Sequence, residues 1–228
     1  MPQYLPRLRW LQPSVGLLLV LALTLVLYPF ADDNRGLRAL AQLLDIVVVF
    51  SVMCMLRMHD LWLRSGWAIS VPLVVLQLAH LLWPGWGWVP VPMLTAQVAF
   101  HAYAVMLLLG YVLRDDVVTL DELYALACIY VLMALLWASA YGIVVHYDPS
   151  AIYINPSNDP DGHIGWSDLV YYSLTTLTST GYGEITPVAP AARALAMLQQ
   201  VVGVLFVAIL IARLTGMHRS RSRVETKD

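Results

Sequence analysis

Charge is what this sequence has least of. Of its 228 residues, 12% are Asp, Glu, Lys or Arg, and 60% are hydrophobic. Mean hydropathy is +0.70. A soluble domain carries about 25% charged residues. With so little polar surface the chain cannot face water on all sides, and its solvent is largely lipid. Cysteine is nearly absent: Cys54 and Cys128 each sit inside an apolar run. No Cys-x-x-Cys or Cys/His spacing suggests zinc, and both thiols are expected to be buried. Net charge is −2, and the only dense cationic cluster is Arg219-Ser220-Arg221-Ser222-Arg223. A nucleic-acid partner is therefore not expected. No internal repeat suggests a transporter built from two halves.

What is present is a series of apolar runs. A spanning helix needs about 20 mostly apolar residues. Leu11 to Phe30 is one run, and Ala39 to Leu56 is a second, interrupted only by Asp45. Ser65 to Leu113 contains no Asp, Glu, Lys or Arg. That stretch is too long for one span, and the Pro/Gly/Trp segment from Pro84 to Pro92 divides it into spans at 66–83 and 93–113. Its tryptophans mark a membrane interface. Leu123 to Tyr147 and Ala194 to Ala212 complete six. A cleaved signal peptide is the competing reading of the first run, but no small-x-small site follows Tyr28-Pro29-Phe30.

Lys and Arg in short loops set orientation. Arg7, Arg9, Arg57, Arg64, Arg114 and the basic tail from Arg213 to Lys227 fall on one side. Arg35 and Arg38 on the other side are balanced by Asp32 and Asp33. The expected topology is a multi-pass protein of the cell membrane with both termini cytoplasmic.

Between the fifth and sixth runs the pattern changes. Asp148 to Gly165 is rich in Pro, Asn, Asp and Gly and reads as an exposed loop. Ser167 or Asp168 is a good N-cap for a segment, Leu169 to Leu177, too short to span. Gly181-Tyr182-Gly183 follows, then Pro187 and Pro190, and Pro190 suits a helix start. Irregular backbone at membrane depth is tolerated only where it is buried or lines water. Ion dehydration supplies a reason for it here. A potassium ion leaving water needs replacement oxygens, and inward-pointing backbone carbonyls provide them. Glycines 181 and 183 permit the backbone conformations required.

The segment Thr178-Ser179-Thr180-Gly181-Tyr182-Gly183-Glu184 resembles the filter of the potassium channel pore family, whose pattern is Thr-Thr-Val-Gly-Tyr-Gly-Asp. The likeness runs from about Trp166 to Gly216, with Leu123 to Tyr147 fitting the family's outer helix. It implies an all-α membrane protein: six transmembrane helices, a re-entrant pore half-helix and a selectivity filter, assembled as a homotetramer around a central pore. The expected layout is a four-helix region over 1–121 without voltage-sensor arginines, a pore domain over 122–216 and a cytoplasmic tail over 217–228. Within the pore domain lie an outer helix (122–147), an outer loop (148–166), a pore helix (167–178), the filter (179–183) and an inner helix (190–214).

The resemblance implies potassium sites lined by Ser179, Thr180, Gly181 and Tyr182, with Thr178 and Gly183 at either end of the filter. The Ser179 hydroxyl would complete the innermost site, and Tyr172 and Thr176 would brace Tyr182. Three residues depart from the pattern. Ser179 keeps the threonine oxygen without its methyl group, Thr180 puts a hydroxyl where valine packs, and Glu184 replaces aspartate at the outer mouth. Some relatives altered before Gly-Tyr-Gly also pass sodium, so a weakly selective sodium/potassium pore stays open as an alternative. Gly203 stands where many relatives carry a hinge glycine; close helix packing is the other reading. Gly203, Val207 and Ile211 share one helical face. Asp148, Asp159, Asp161 and Glu184 would form acidic rings in a tetramer, although Asp159 and Asp161 also suit a solvated loop.

A voltage sensor needs arginine at every third position of a span. The run Met93 to Leu113 has none. Only about fifteen residues follow the sixth run, so no ligand-gating module is expected there, and the compact layout resembles prokaryotic channels. Asp45, His80, Gln97 and His101 share a similar depth within the spans and form either a proton-sensitive cluster or a set of satisfied interhelical hydrogen bonds. Enzymatic chemistry and cofactors are not expected, potassium being the permeant ion. A non-conducting membrane sensor and a haem-binding subunit are the alternatives from other classes.

Overall fold

The computed structural model describes residues 13–31, 34–58, 63–83, 90–114, 119–157 and 163–225. The helices are α1 (Pro13–Ala31), α2 (Arg35–Met58), α3 (Leu63–Leu82), α4 (Pro90–Val112), α5 (Leu120–Tyr147), α6 (Trp166–Leu177) and α7 (Pro190–Glu225). All except α6 are long and apolar enough to cross a membrane. The chain is an all-α membrane protein in architecture. Arg7, Arg9, Asp32, Asp33, the tryptophan-rich turn 84–89, Asp159, Asp161 and Lys227 lie outside the described residues.

Helices α1 to α4 pack in chain order, and α1 and α4 both lie against α5. Helix α5 is the axis of the molecule: 56% of that span is buried, against 17% of α7. The difference leaves α7 with a long apolar face uncovered within one chain, including Val201, Val204, Leu205 and Ile209. Helix α6 is cradled by α5, α7 and the end of α1.

Several boundaries differ from the sequence expectation for identifiable reasons. Helix α5 begins at Leu120 because Thr119 and Glu122 form a capping box. The Glu122 amide donates to Thr119 Oγ1 at 3.3 Å, and the Thr119 amide donates to Glu122 Oε2 at 3.4 Å. Helix α6 starts at Trp166 with Gly165 as its cap. Asp168 acts from the third helical position, its carboxylate accepting the Gly165 amide at 2.8 Å. Helix α7 starts at Pro190 as expected but runs past 214 to Glu225, since nothing after Gly216 is a proline. The loop after α5 holds a short strand, β1 (Ile152–Ile154), paired antiparallel with β2 (Ile185–Pro187). Cys128 is buried as expected, whereas Cys54 is exposed on the apolar surface, where lipid contact asks for no burial.

Candidate functional site

The end of α6 is where the chain leaves regular structure. A helix C-terminus has carbonyls with no partner inside the helix. Here the next residues turn their amides back onto them. Thr178 N donates to Leu174 O at 3.0 Å, Ser179 N to Thr176 O at 3.1 Å, Thr180 N to Thr175 O at 2.8 Å and Gly181 N to Thr175 O at 3.2 Å. The remaining carbonyl, Leu177 O, accepts the Tyr130 hydroxyl at 3.1 Å.

Backbone φ is positive at Ser179 (56°), Gly181 (49°) and Gly183 (93°), and at no other described residue. Left-handed residues therefore alternate with ordinary ones from 179 to 183. In an extended strand successive carbonyls point to opposite sides; alternating the hand brings them to one side. With the amides of 178–181 committed to α6, the carbonyls of 178–183 accept no backbone hydrogen bond among the described residues. Two of the left-handed positions are glycine, which enters this region without a Cβ penalty. The third is serine, and left-handed backbone strains β-branched residues most. Serine at 179 thus eases a conformation that threonine would resist.

Thr180 and Thr178 meet through their hydroxyls at 2.8 Å, so the hydroxyl that replaces valine has a partner. Residues 178–183 are all exposed within one chain, and Tyr182 is 72% exposed. Past the filter segment, the Asn155 amide donates to Glu184 O at 2.8 Å, and the β1–β2 ladder holds the outgoing chain in register, Tyr153 opposite Thr186. The Glu184 carboxylate accepts the Tyr171 hydroxyl. That carboxylate pushes the Tyr171 phenol up to about 12. Tyr171 was not legible as a site residue from sequence; only its i+13 partner carries a charge. Asp148 is used within its loop, accepting from Ser150 N at 3.1 Å and Ser150 Oγ at 2.6 Å.

Behind α6 a buried polar network ties three helices together. Gln199 of α7 is fully buried. Its Nε2 donates to Ser173 O and lies 2.8 Å from Ser173 Oγ, and its Oε1 accepts the Tyr141 hydroxyl at 2.7 Å. Ser173 Oγ donates to Ala134 O of α5 at 2.7 Å. Tyr172 packs against Tyr141 of α5 with ring centroids 4.9 Å apart and the rings tilted at 59°. Within one chain, then, Tyr172 packs α6 against α5, and Thr176 is buried. The Gln199-Gln200 pair in an apolar run gives no sequence clue to such a network.

Gly203 sits one turn beyond Gln199 on the same buried face. A Cβ there would collide with the Leu177 carbonyl, and Leu177 Cδ1 would be 3.1 Å away. The glycine lets α7 close onto the end of α6, which is a packing role; α7 is continuous through it. Val207 and Ile211 are exposed within one chain.

The polar residues of α1 to α4 divide. Asp45, Gln97 and His101 line one small cavity, about 10 Å³ in volume, together with Tyr28, Gln77 and Trp166. His80 is not among its lining residues. Tyr28 donates its hydroxyl to Asp45, and Ser139 Oγ lies 3.4 Å from Gln97 Oε1.

Residues 129–219 match the family model described as ion channel. A stretch of 77 residues is 32% identical to an uncharacterized protein of Methanothermus fervidus, covering 34% of this chain and 10% of that protein's length.

Proposed function

We propose, from the premise that residues 129–219 match the ion-channel family model, that this chain is one subunit of a potassium-selective channel. The observation that carries the reading is the alternation of left-handed backbone at Ser179, Gly181 and Gly183, with the amides of residues 178–181 bound to α6. Such a segment offers a column of unpartnered carbonyls at the foot of a half-helix. One chain alone leaves them open on a membrane-embedded surface, an arrangement stable only where backbone lines water or is covered by protein. Four copies around an axis meet both conditions. Tyr182 then packs against a neighbouring subunit, and the exposed face of α7 packs on its own copies or on lipid.

In this reading the carbonyls of Ser179, Thr180, Gly181 and Tyr182 replace the hydration shell of potassium. The Ser179 hydroxyl and Thr178 complete the inner end, and Gly183 and Glu184 form the outer mouth, where repeated carboxylates concentrate cations. The C-terminal end of α6 points its negative dipole toward the inner cavity and favours a cation there. Flux is passive and involves no covalent chemistry. Helix α4 holds no Lys or Arg, so gating does not use a standard voltage sensor. Both termini are cytoplasmic.

The test is flux through purified protein in liposomes, with reversal potentials in mixed potassium and sodium, repeated on Ser179→Thr and Thr180→Val. Thr180→Val removes the hydroxyl pair with Thr178 and restores the family pattern; potassium preference is expected to hold or rise. A wild-type pore that passes sodium as well as potassium would favour the weakly selective alternative.

A further inference from the structure

Tyr28 of α1, Asp45 of α2, Gln77 of α3, Gln97 and His101 of α4, and Trp166 at the start of α6 surround one cavity. Five elements thus bring polar groups to a single point inside the bundle. Gln77 is 5% and His101 6% exposed, and both are unsatisfied: Gln77 Oε1 and His101 Nδ1 have no hydrogen-bond partner, nor does Trp166 Nε1. A volume of about 10 Å³ with several polar walls holds about one water. The titratable groups facing it are Tyr28, Asp45 and His101; α3 contributes Gln77, α5 contributes Leu135 and α6 contributes Trp166, none of which titrates. Among the described residues, no Lys or Arg lines the cavity. A lone carboxylate at membrane depth needs compensation, and such residues mark proton or ion sites.

We propose that this cavity is a proton-binding site, built on Asp45 and His101 and bridged by one water, that reports protonation to the pore helix through Trp166. The bridging water accepts from the Trp166 indole N–H and donates to Gln77 Oε1 or to an unprotonated His101 Nδ1. Proton gain or loss at the Asp45–Tyr28 pair or at His101 reverses which of these groups donate and which accept. Trp166 is the first residue of α6 and meets the Tyr28 ring edge-on, centroids 6.0 Å apart. A change in the hydrogen bonding around Tyr28 therefore bears directly on the helix that carries the filter. The proposal extends the channel reading, but the site itself does not depend on it.

Two arms test it. Infrared pH-difference spectra of the purified full-length protein in lipid nanodiscs should show a protonated carboxyl band that titrates in wild type and is missing in Asp45→Asn. Potassium flux in liposomes should change about fivefold or more across the range in which histidine titrates. Asp45→Asn, the milder Tyr28→Phe and Trp166→Phe should each flatten that response while leaving reversal potentials unchanged. Absence of the Asp45 band change, or an unaltered flux response in both Asp45→Asn and Trp166→Phe, overturns the proposal. A titrating band in a protein that conducts nothing leaves the proton site standing and defeats the channel reading instead.

Discussion

The two halves of this chain treat buried polar groups in opposite ways. From α5 to α7 almost every such group has a partner: Gln199, Ser173, Tyr141 and the Ala134 carbonyl form one closed network behind α6. From α1 to α4 they are left partly open, with Gln77 Oε1, His80 Nδ1 and His101 Nδ1 unpartnered. A fully satisfied network fixes one geometry, which a row of filter carbonyls requires. A half-satisfied one can rearrange when a proton or a water is gained. On the proposed reading the α5–α7 half serves rigidity and the four-helix half serves response.

Substitutions can break this contrast. The largest effect is expected at Gly203→Ala, where the new Cβ meets the Leu177 carbonyl, a backbone atom that cannot swing away. Helices α6 and α7 would have to separate, at about 3 kcal/mol, the upper part of the range for overpacking. Thermal unfolding in detergent and the loss of flux check this; a stable, conducting Gly203→Ala would remove the packing role. Next comes Gln199→Leu, which strands the Tyr141 hydroxyl and costs about 1–3 kcal/mol. Its counterpart Gln77→Leu removes an oxygen with no direct partner and should cost under about 1 kcal/mol, since a bridging water is all it loses. Equal losses for the two glutamines would erase the contrast between the halves.

The smallest effect is expected at Tyr171→Phe. Its phenol is raised from 10.0 to about 12 chiefly by its bond to Glu184. A phenol raised on folding adds stability that is complete below its unfolded value near 10 and is lost as pH rises through 12. Across neutral pH the bond therefore contributes in full, and Tyr171→Phe should lower thermal stability there slightly, the pair being exposed to solvent. It should also remove the alkaline fall between pH 10 and 12. An alkaline transition of equal size in Tyr171→Phe would show that Tyr171 is not its source.

Much of the pore half could be read in advance. The half-helix before Gly181-Tyr182-Gly183 appears as a short apolar segment bounded by turn residues, and Pro190 opens α7 as its fixed φ predicts. What sequence concealed was tertiary. The strand β1 is three residues in a polar loop and exists only because β2 lies beside it. Gln199 looks like one more residue of an apolar span until Tyr141 and Ser173 are brought to it. Gly203 offered a hinge and a close contact equally, and the close contact is made by the Leu177 carbonyl, which no sequence signal marks. In the four-helix half, depth alone grouped Asp45, His80, Gln97 and His101. Helix rotation, which depth does not reveal, left His80 off the cavity and brought in Tyr28, Gln77 and Trp166.

The most direct measurement of the central claim is the reversal potential of the wild-type protein in planar bilayers with potassium on one side and sodium on the other. Carbonyls aligned by Ser179, Gly181 and Gly183 predict a reversal close to the potassium equilibrium potential. A reversal near zero, or no current at any pH, would contradict the assignment of this segment as a potassium filter.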